Sequence, residues 1–220
     1  MKNVKLSPLA QAFKDHDEKE ISLLSSQGET LLSNENPVVL MASGFNGNDL
    51  DQFHTQDEKR IGKVVQAAVQ SGVDVNAPVE GEPASHYLTR EYVSRQMGAE
   101  YDTSYAASIG MKENNYMGML KAYAENGVDF RTRNDEGRSF VEVGRAQARS
   151  YAEKHHPETV KPDYSPEHDF ASPSFQRVEK EIGASLDDIK IRVRQNTIKD
   201  RAQSQAPQPS VSKVKKQDER

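Results

Sequence analysis

Two stretches of this 220-residue chain can be laid over each other. Residues 61–78 read IGKVVQAAVQSGVDVNAP, and residues 116–133 read YMGMLKAYAENGVDFRTR. Both begin with apolar residues at i, i+3, i+4, i+7 and i+8, the spacing of one apolar face on an α-helix. Both then reach a glycine, Gly72 or Gly127, which can end a helix in the left-handed conformation without strain from a Cβ atom. The sequence therefore predicts an internal helical repeat.

These residues resemble the ankyrin-repeat family, in which the second helix of each repeat ends in a G-A-D-V-N-A segment. Here residues 72–77 read GVDVNA. The family then turns through a β-hairpin and opens its next repeat with D-x-x-G-x-T-P-L-H-x-A. After Gly127, residues 134–141 read NDEGRSFV, which keep the Gly and have Asn and Ser at the Asp and Thr positions. Phe140 and Glu142 replace the Pro and the His, so this last opening is eroded.

Three earlier segments resemble the same opening. Residues 7–12 read SPLAQA, and the 21 residues from Ser7 to Gly28 match the family distance between the opening and the helix-ending glycine. Residues 36–42 read NPVVLMA, and residues 83–86 read PASH. Proline suits the first helical position because its fixed φ is helical and its missing N–H would be unpaired there. The resemblance covers about residues 6–156 and implies three full repeats and a partial fourth.

The distance from a repeat opening to its helix-ending glycine exceeds the family distance twice. It is 15 residues longer from Asn36 to Gly72, and 23 residues longer from Pro83 to Gly127. We therefore expect insertions at about residues 44–58 and 96–112. Each falls between the first and the second helix of a repeat. Aromatic side chains on such insertions are candidate anchors for a partner, and packing back onto the scaffold is the open alternative. The residues concerned are Phe53, Tyr101 and Tyr105.

The predicted fold is all-α: an ankyrin-like helical solenoid with two long insertions and a C-terminal helix. Residues 1–156 form the predicted repeat domain. Residues 157–173 begin and end with proline and contain two more, which predicts a linker because proline cannot continue a helix. Residues 174–202 carry an apolar stripe at helical spacing, and this helix either caps the last repeat or offers a face to a partner. Residues 203–220 are polar and basic and are predicted to be disordered.

The sequence carries no catalytic signature, and we expect neither an enzyme nor a bound cofactor. There is no cysteine, so thiolate metal sites and thiol nucleophiles are excluded. His155 and His156 are adjacent and point to different sides of a helix, which makes a poor chelate, and no metal site is predicted. Phosphate-binding and serine-hydrolase motifs are absent. The resemblance implies that His86 is structural and holds the turn into its helix.

The resemblance implies a module that binds a protein partner through its hairpin tips and first helices. Net charge is −11 over residues 1–189 and +6 over residues 190–220, an asymmetry typical of interaction proteins. The tips are polar and differ from repeat to repeat. The candidate contact residues there are Asn34, Asn36, Asn76, Pro78, Val79, Glu80, Arg131, Arg133, Asn134 and Asp135.

The predicted function is an adaptor or inhibitor, and the basic tail resembles those of bacterial effectors exported by type IV secretion. Two alternatives stay open: an immunity or antitoxin protein that masks a toxin, and a helical enzyme acting through the insertions. No apolar stretch suits a signal peptide or a membrane span, which predicts a cytoplasmic protein or one exported without such a signal. We expect a monomer, and no nucleic-acid binding, because no aromatic residues interleave with the tail lysines.

Overall fold

The computed structural model describes residues 5–43, 58–101, 116–165, 167 and 172–204. Over this part the chain is all-helical, with eight α-helices, and the one strand-like pairing described there is a single bridge between Val79 and Glu82. The helices are α1 (Pro8–Lys14), α2 (Glu18–Ser26), α3 (Pro37–Ser43), α4 (Glu58–Gln70), α5 (Ala84–Tyr101), α6 (Tyr116–Glu125), α7 (Phe140–His155) and α8 (Phe175–Ser204), and a 3₁₀ turn at Pro157–Val160 follows α7.

The helices lie in two rows. In the first row α1 contacts α3, α3 contacts α5, and α5 contacts α7. In the second row α2 contacts α4, α4 contacts α6, and α6 contacts α8. The rows are joined across the pairs α1–α2, α5–α6 and α7–α8. Each helix therefore buries apolar side chains against a neighbour along its own row, and all except α3 and α4 also pack closely against a helix of the other row.

Short polar side chains cap the start of three of the four first-row helices, α1, α3 and α7. The Ser7 hydroxyl accepts from the Ala10 N–H (3.1 Å) at the start of α1, and Asn36 Oδ1 accepts from the Val38 N–H (2.9 Å) at the start of α3. Ser139 forms a capping box at the start of α7. These bonds satisfy backbone N–H groups that have no partner within the helix.

Glycine follows three of the four second-row helices, at positions that the sequence predicts. Gly28, Gly72 and Gly127 follow α2, α4 and α6 with φ of +86°, +75° and +129°. Residues with a Cβ atom rarely adopt these values, so the three glycines allow the chain to leave the second row and turn back to the first.

The rows create two edges with different roles. The hairpin edge, where second-row helices end and first-row helices begin, is formed by the three turns at residues 29–36, 73–83 and 128–139. The opposite turn edge holds residues 15–17 and the helix ends that border residues 44–57 and 102–115. Those last two segments, which hold most of both predicted insertions, lie outside the described residues.

The core runs between the rows and is closely packed. The hydroxyl groups of Tyr92 in α5 and Tyr123 in α6, both fully buried, are hydrogen-bonded at 3.2 Å. Gly144 lets α7 approach α5 and α8, because a Cβ atom there would lie 2.7 Å from Leu186 Cδ1 and 2.9 Å from Thr89 Cγ2. A larger side chain at this position would force the three helices apart.

The C-terminal helix α8 packs against α6 and α7 and is 30 residues long. An ion pair joins α8 to each neighbour. Asp187 of α8 lies 3.0 Å from Arg145 of α7, and Arg192 of α8 lies 3.2 Å from Glu125 of α6. The apolar stripe identified in the sequence is its buried side, at Phe175, Val178, Ile182, Leu186 and Ile189. The helix thus occupies the second-row position opposite α7.

One predicted boundary is wrong. The second insertion was expected from residue 96, but α5 continues to Tyr101. Met97 and Tyr101 are buried, and burial of these apolar side chains keeps the chain helical for one and a half further turns.

Candidate partner-binding surface

Three turns lie side by side at the hairpin edge, and two asparagine side chains hold neighbouring turns together. Asn36 donates from Nδ2 to the Pro78 carbonyl at 3.1 Å. Asn76 donates to the Gly127 carbonyl at 3.2 Å and accepts from the Asp129 N–H at 2.7 Å. Since these bonds link side chain to backbone from each turn to the next, the three turns form one connected surface.

An open cavity of about 480 Å³ lies between the second and third turns and the helices α5 and α7, and we call it the hairpin groove. Small side chains of α7 form part of its floor, at Val143, Ala146 and Ser150. Charged side chains line its end nearest the turns: Glu80, Glu82, Asp135, Glu136, Arg90 and Arg138.

Glu82 and Arg90 form an ion pair at the wall of the groove. Arg90 Nη1 donates to Glu82 Oε1 at 2.5 Å. Burial raises the pKa of Glu82, and the Arg90 guanidinium opposes that rise. The Glu82 side chain is mostly buried, while the Arg90 side chain is about half exposed. Arg90 is therefore the member of the pair that faces the groove.

The second arginine of the groove is also paired. Arg138 Nε lies 3.1 Å from Glu136 Oε2. Glu80 and Asp135 are exposed, and within the described part of the chain no ion pair joins either of them to a cation. The groove therefore presents two carboxylates that are not neutralised.

Two further cavities border the same turns. One of about 900 Å³ lies between the second and third turns and the C-terminal part of α8, where Val193 and Thr197 line it, and it shares Asp135 with the hairpin groove. The other, of about 390 Å³, lies between the first and second turns and is lined by apolar side chains that include Leu31 and Val73. The hairpin edge thus offers concave surface on both sides of its middle turn.

His86 joins α5 to the third turn. The imidazole is fully buried, and its Nε2–H donates to the Arg138 carbonyl at 3.0 Å. Burial lowers the pKa of His86. Because a carbonyl can only accept, the proton lies on Nε2, and Nδ1 faces the Ser85 hydroxyl at 3.5 Å. The side chain thus forms hydrogen bonds within the fold.

The turn edge is held by side chains that cap helix ends across the row. Arg60, at the start of α4, donates to the Asp15 carbonyl (2.6 Å) and to the His16 carbonyl (3.2 Å). The His16 Nε2–H donates to the Met41 carbonyl at 2.7 Å, and Arg95 donates to a carbonyl at the end of α3. Asp15 and His16 directly follow α1, and Met41 and Ala42 lie in the last turn of α3, so each contact binds a carbonyl at the C-terminal end of a helix. No motif marks these residues, and the sequence analysis missed all three.

Most of the predicted contact residues lie together at the hairpin edge. Asn34 is exposed in the first turn, and Asn36 is half-buried between turns. Val79 is different: it is only 8% exposed and packs into the core, so its prediction as an exposed contact is wrong. The remaining seven line the hairpin groove or the cavity beside α8: Asn76, Pro78, Glu80, Arg131, Arg133, Asn134 and Asp135.

The predicted insertion anchors have different outcomes. Phe53 and Tyr105 lie outside the described residues. Tyr101 is buried at the end of α5, where its ring stacks on His156 with centroids 4.3 Å apart. The exposed anchor predicted at Tyr101 is therefore wrong, and the alternative of packing onto the scaffold holds for it. The His155 ring lies 4.5 Å from the Tyr151 ring at a tilt of 31°, so each histidine of the pair contacts a tyrosine ring.

Over the described residues, no group of three His, Asp or Glu side chains is placed to hold a metal ion. None of the helices described is long and apolar enough to cross a membrane. Comparison of the chain with protein-family models, with curated proteins and with solved structures finds no match. A function is therefore proposed from the geometry of the hairpin edge.

Proposed function

We propose that this chain is an ankyrin-like solenoid that acts as an adaptor or inhibitor by holding a protein partner at its hairpin edge. The observation that carries the proposal is the connected edge itself. Asn36 and Asn76 tie three turns into one surface, while exposed polar side chains of those turns surround open concave space. A surface that is ordered before binding loses little conformational freedom on association, which favours affinity.

The order of helix contacts supports the solenoid. Helices alternate between two rows, and each row is built from successive neighbours along the chain. Such an array buries its apolar faces between repeats and leaves its turns and first-row helices open. The glycines that follow α2, α4 and α6, and the hydrogen bond from buried His86 to the third turn, support this arrangement.

The shape and chemistry of the groove favour a protein over a small molecule. The cavities are open rather than enclosed, and they follow one another along the edge over three turns. Polar and charged side chains alternate with small apolar patches, as in protein–protein surfaces with a polar rim. A segment of a partner protein can contact several turns at once.

The proposal is tested by affinity capture with three forms of the full chain. One is unchanged, one carries Glu80→Lys with Asp135→Lys in the groove, and a matched control carries Glu20→Lys with Asp163→Lys. All four positions are exposed, so the two variants change net charge equally at little cost in stability. Glu20 lies in α2 and Asp163 follows the 3₁₀ turn, both away from the groove.

We expect the unchanged chain and the control to capture the same proteins, and the groove variant to lose at least one of them by about tenfold or more. Equal capture by all three forms would show that the groove is not the binding surface. Loss from both variants would show a general effect of charge instead.

A further inference from the structure

The hairpin edge is strongly acidic. Its three turns, residues 29–36, 73–83 and 128–139, contain eight acidic and three basic side chains, a net charge of −5. All three basic side chains are arginines of the third turn that pair with nearby carboxylates. Arg131 pairs with Asp129 and Arg138 with Glu136, and Arg133 lies 3.6 Å from Glu142 at the start of α7. What remains unneutralised in the hairpin groove is Glu80 and Asp135. The groove therefore attracts a positively charged segment.

The groove can also admit an extended segment. Its floor on α7 includes Ala146 and Ser150, both exposed and both too short to fill the space above the helix. Among the described elements, α7 contacts α5, α8 and the 3₁₀ turn that follows α7, and none of these elements contributes residues to the groove except α5. An exposed helix face of small side chains beside two carboxylates suits a chain that carries long basic side chains.

A segment of this kind leaves the fold close by. Arg192 of α8 pairs with Glu125, the last residue of α6, so twelve further residues of α8 extend beyond the end of α6 on the hairpin side. Thr197, in that extension, lines the cavity that shares Asp135 with the groove. The helix ends at Ser204, and residues 205–220 follow it.

The remaining chain is long enough and carries the right charge. Sixteen residues can span about 50 Å when extended. Four of them are basic and two acidic, and three lysines lie close together at Lys213, Lys215 and Lys216. These lysines are nine to twelve residues beyond Ser204, within about 40 Å of it along the chain.

We propose that the C-terminal segment, residues 205–220, binds in the hairpin groove of its own chain, with its lysines beside Glu80 and Asp135. A tethered segment has an effective concentration of the order of millimolar, so weak attraction is enough for substantial occupancy. The docking itself needs no partner. Its consequence, that the segment competes with a protein partner for the groove, rests on the proposed function.

The test measures the distance between a label one helical turn beyond the groove floor and a label on the segment. The chain has no cysteine, so the double variant Lys154→Cys with Ser212→Cys takes spin labels at two chosen sites only. Lys154 is exposed in α7, four residues after Ser150, so a label there leaves the groove floor open. Distances are recorded by pulsed electron paramagnetic resonance at about 0.01 M and 1 M NaCl, between which the screening length falls from about 30 Å to about 3 Å.

We expect a short-distance population at low salt that falls about threefold or more at high salt. Lys213→Glu, Lys215→Glu and Lys216→Glu together should remove it. Adding Glu80→Lys and Asp135→Lys to that variant should restore it, because the charges are then exchanged. Restoration of the population by exchange is a result that unfolding of a variant cannot produce.

Two outcomes would overturn the proposal. A distance distribution that neither salt nor charge reversal changes would mean that the segment does not bind the groove. A short distance that disappears on dilution with unlabelled protein would place the segment in the groove of a second copy. Neither outcome depends on a partner, so failure here is distinct from failure of the capture experiment.

Discussion

At both the hairpin edge and the turn edge, side chains bond to backbone atoms of a neighbouring turn or helix, but the two edges use different side chains. At the hairpin edge, amide groups of Asn36 and Asn76 bond to backbone atoms of the next turn, and the turns remain largely exposed. At the turn edge, His16, Arg60 and Arg95 bond to carbonyls at the ends of α1 and α3, and the imidazole is buried.

The two edges therefore differ in how much stability is lost when such a side chain is replaced. Removing a buried group that satisfies a helix end leaves both a cavity and an unpaired carbonyl. Removing an exposed amide leaves its backbone partners in reach of water. We therefore expect substitutions at the turn edge to cost more stability than those at the hairpin edge, where exposed side chains are available for the proposed binding.

The largest effect is expected at His16. His16→Ala removes a buried ring and its bond to the Met41 carbonyl, and we expect unfolding to become easier by about 3 kcal/mol. Urea unfolding followed by circular dichroism measures this. A loss below about 1 kcal/mol would mean that the turn edge does not depend on the imidazole.

The second expectation concerns pH at the same residue. Burial lowers the pKa of His16 from 6.5 to about 4, so the folded chain binds fewer protons than the unfolded chain between these values. Stability is then fully present above pH 6.5 and falls as the pH decreases, by about 2 kcal/mol from pH 7 to pH 5 for this residue.

The free energy of unfolding is measured by urea unfolding at several pH values between about 5 and 7, for the unchanged chain and for His16→Gln. The difference between the two slopes of this free energy against pH is the contribution of His16. The variant is needed because burial also lowers the pKa of His86, which acts in the same direction. Equal slopes for the two forms would show that His16 does not titrate as a buried group.

Smaller effects are expected where amides link the turns. Asn36→Ala and Asn76→Ala should each cost about 1 kcal/mol, since each removes hydrogen bonds to a neighbouring turn. Because both bonds act on the second turn, the double variant should deviate from additivity. Additive losses would mean that the turns are not one connected surface.

The smallest effect is expected at Asn134. Its Oδ1 accepts from the Arg138 N–H (2.9 Å) within the third turn and reaches no other turn. Asn134→Ala should therefore cost about 0.5 kcal/mol, less than either linking asparagine. A loss equal to that of Asn76→Ala would contradict the distinction between linking and local amides.

The helices in the two similar segments could be predicted from local patterns. The apolar spacing in residues 61–69 and 116–124 and the glycines that follow describe interactions within one or two turns of chain. The same is true of Ser7 and Ser139, whose hydroxyls bond three residues ahead. Such features are determined by neighbouring residues, so a sequence displays them directly.

The remaining features depend on contacts across the fold. His16 meets a carbonyl 25 residues away, and Arg95 meets one 53 residues away. The burial of Val79 and Tyr101 likewise depends on which elements cover them. At the hairpin edge, the positions of the turns were predicted from the resemblance and from the helix-ending glycines. Which of those residues link turns and which face the groove required the structure.

The most direct test of the central claim is hydrogen exchange of the chain, free and in complex with a captured partner. We expect amides of residues 73–83 and 128–139 to exchange more slowly in the complex, and those of residues 15–17 to be unchanged. Protection confined to the turn edge, with the three turns unaffected, would contradict the account.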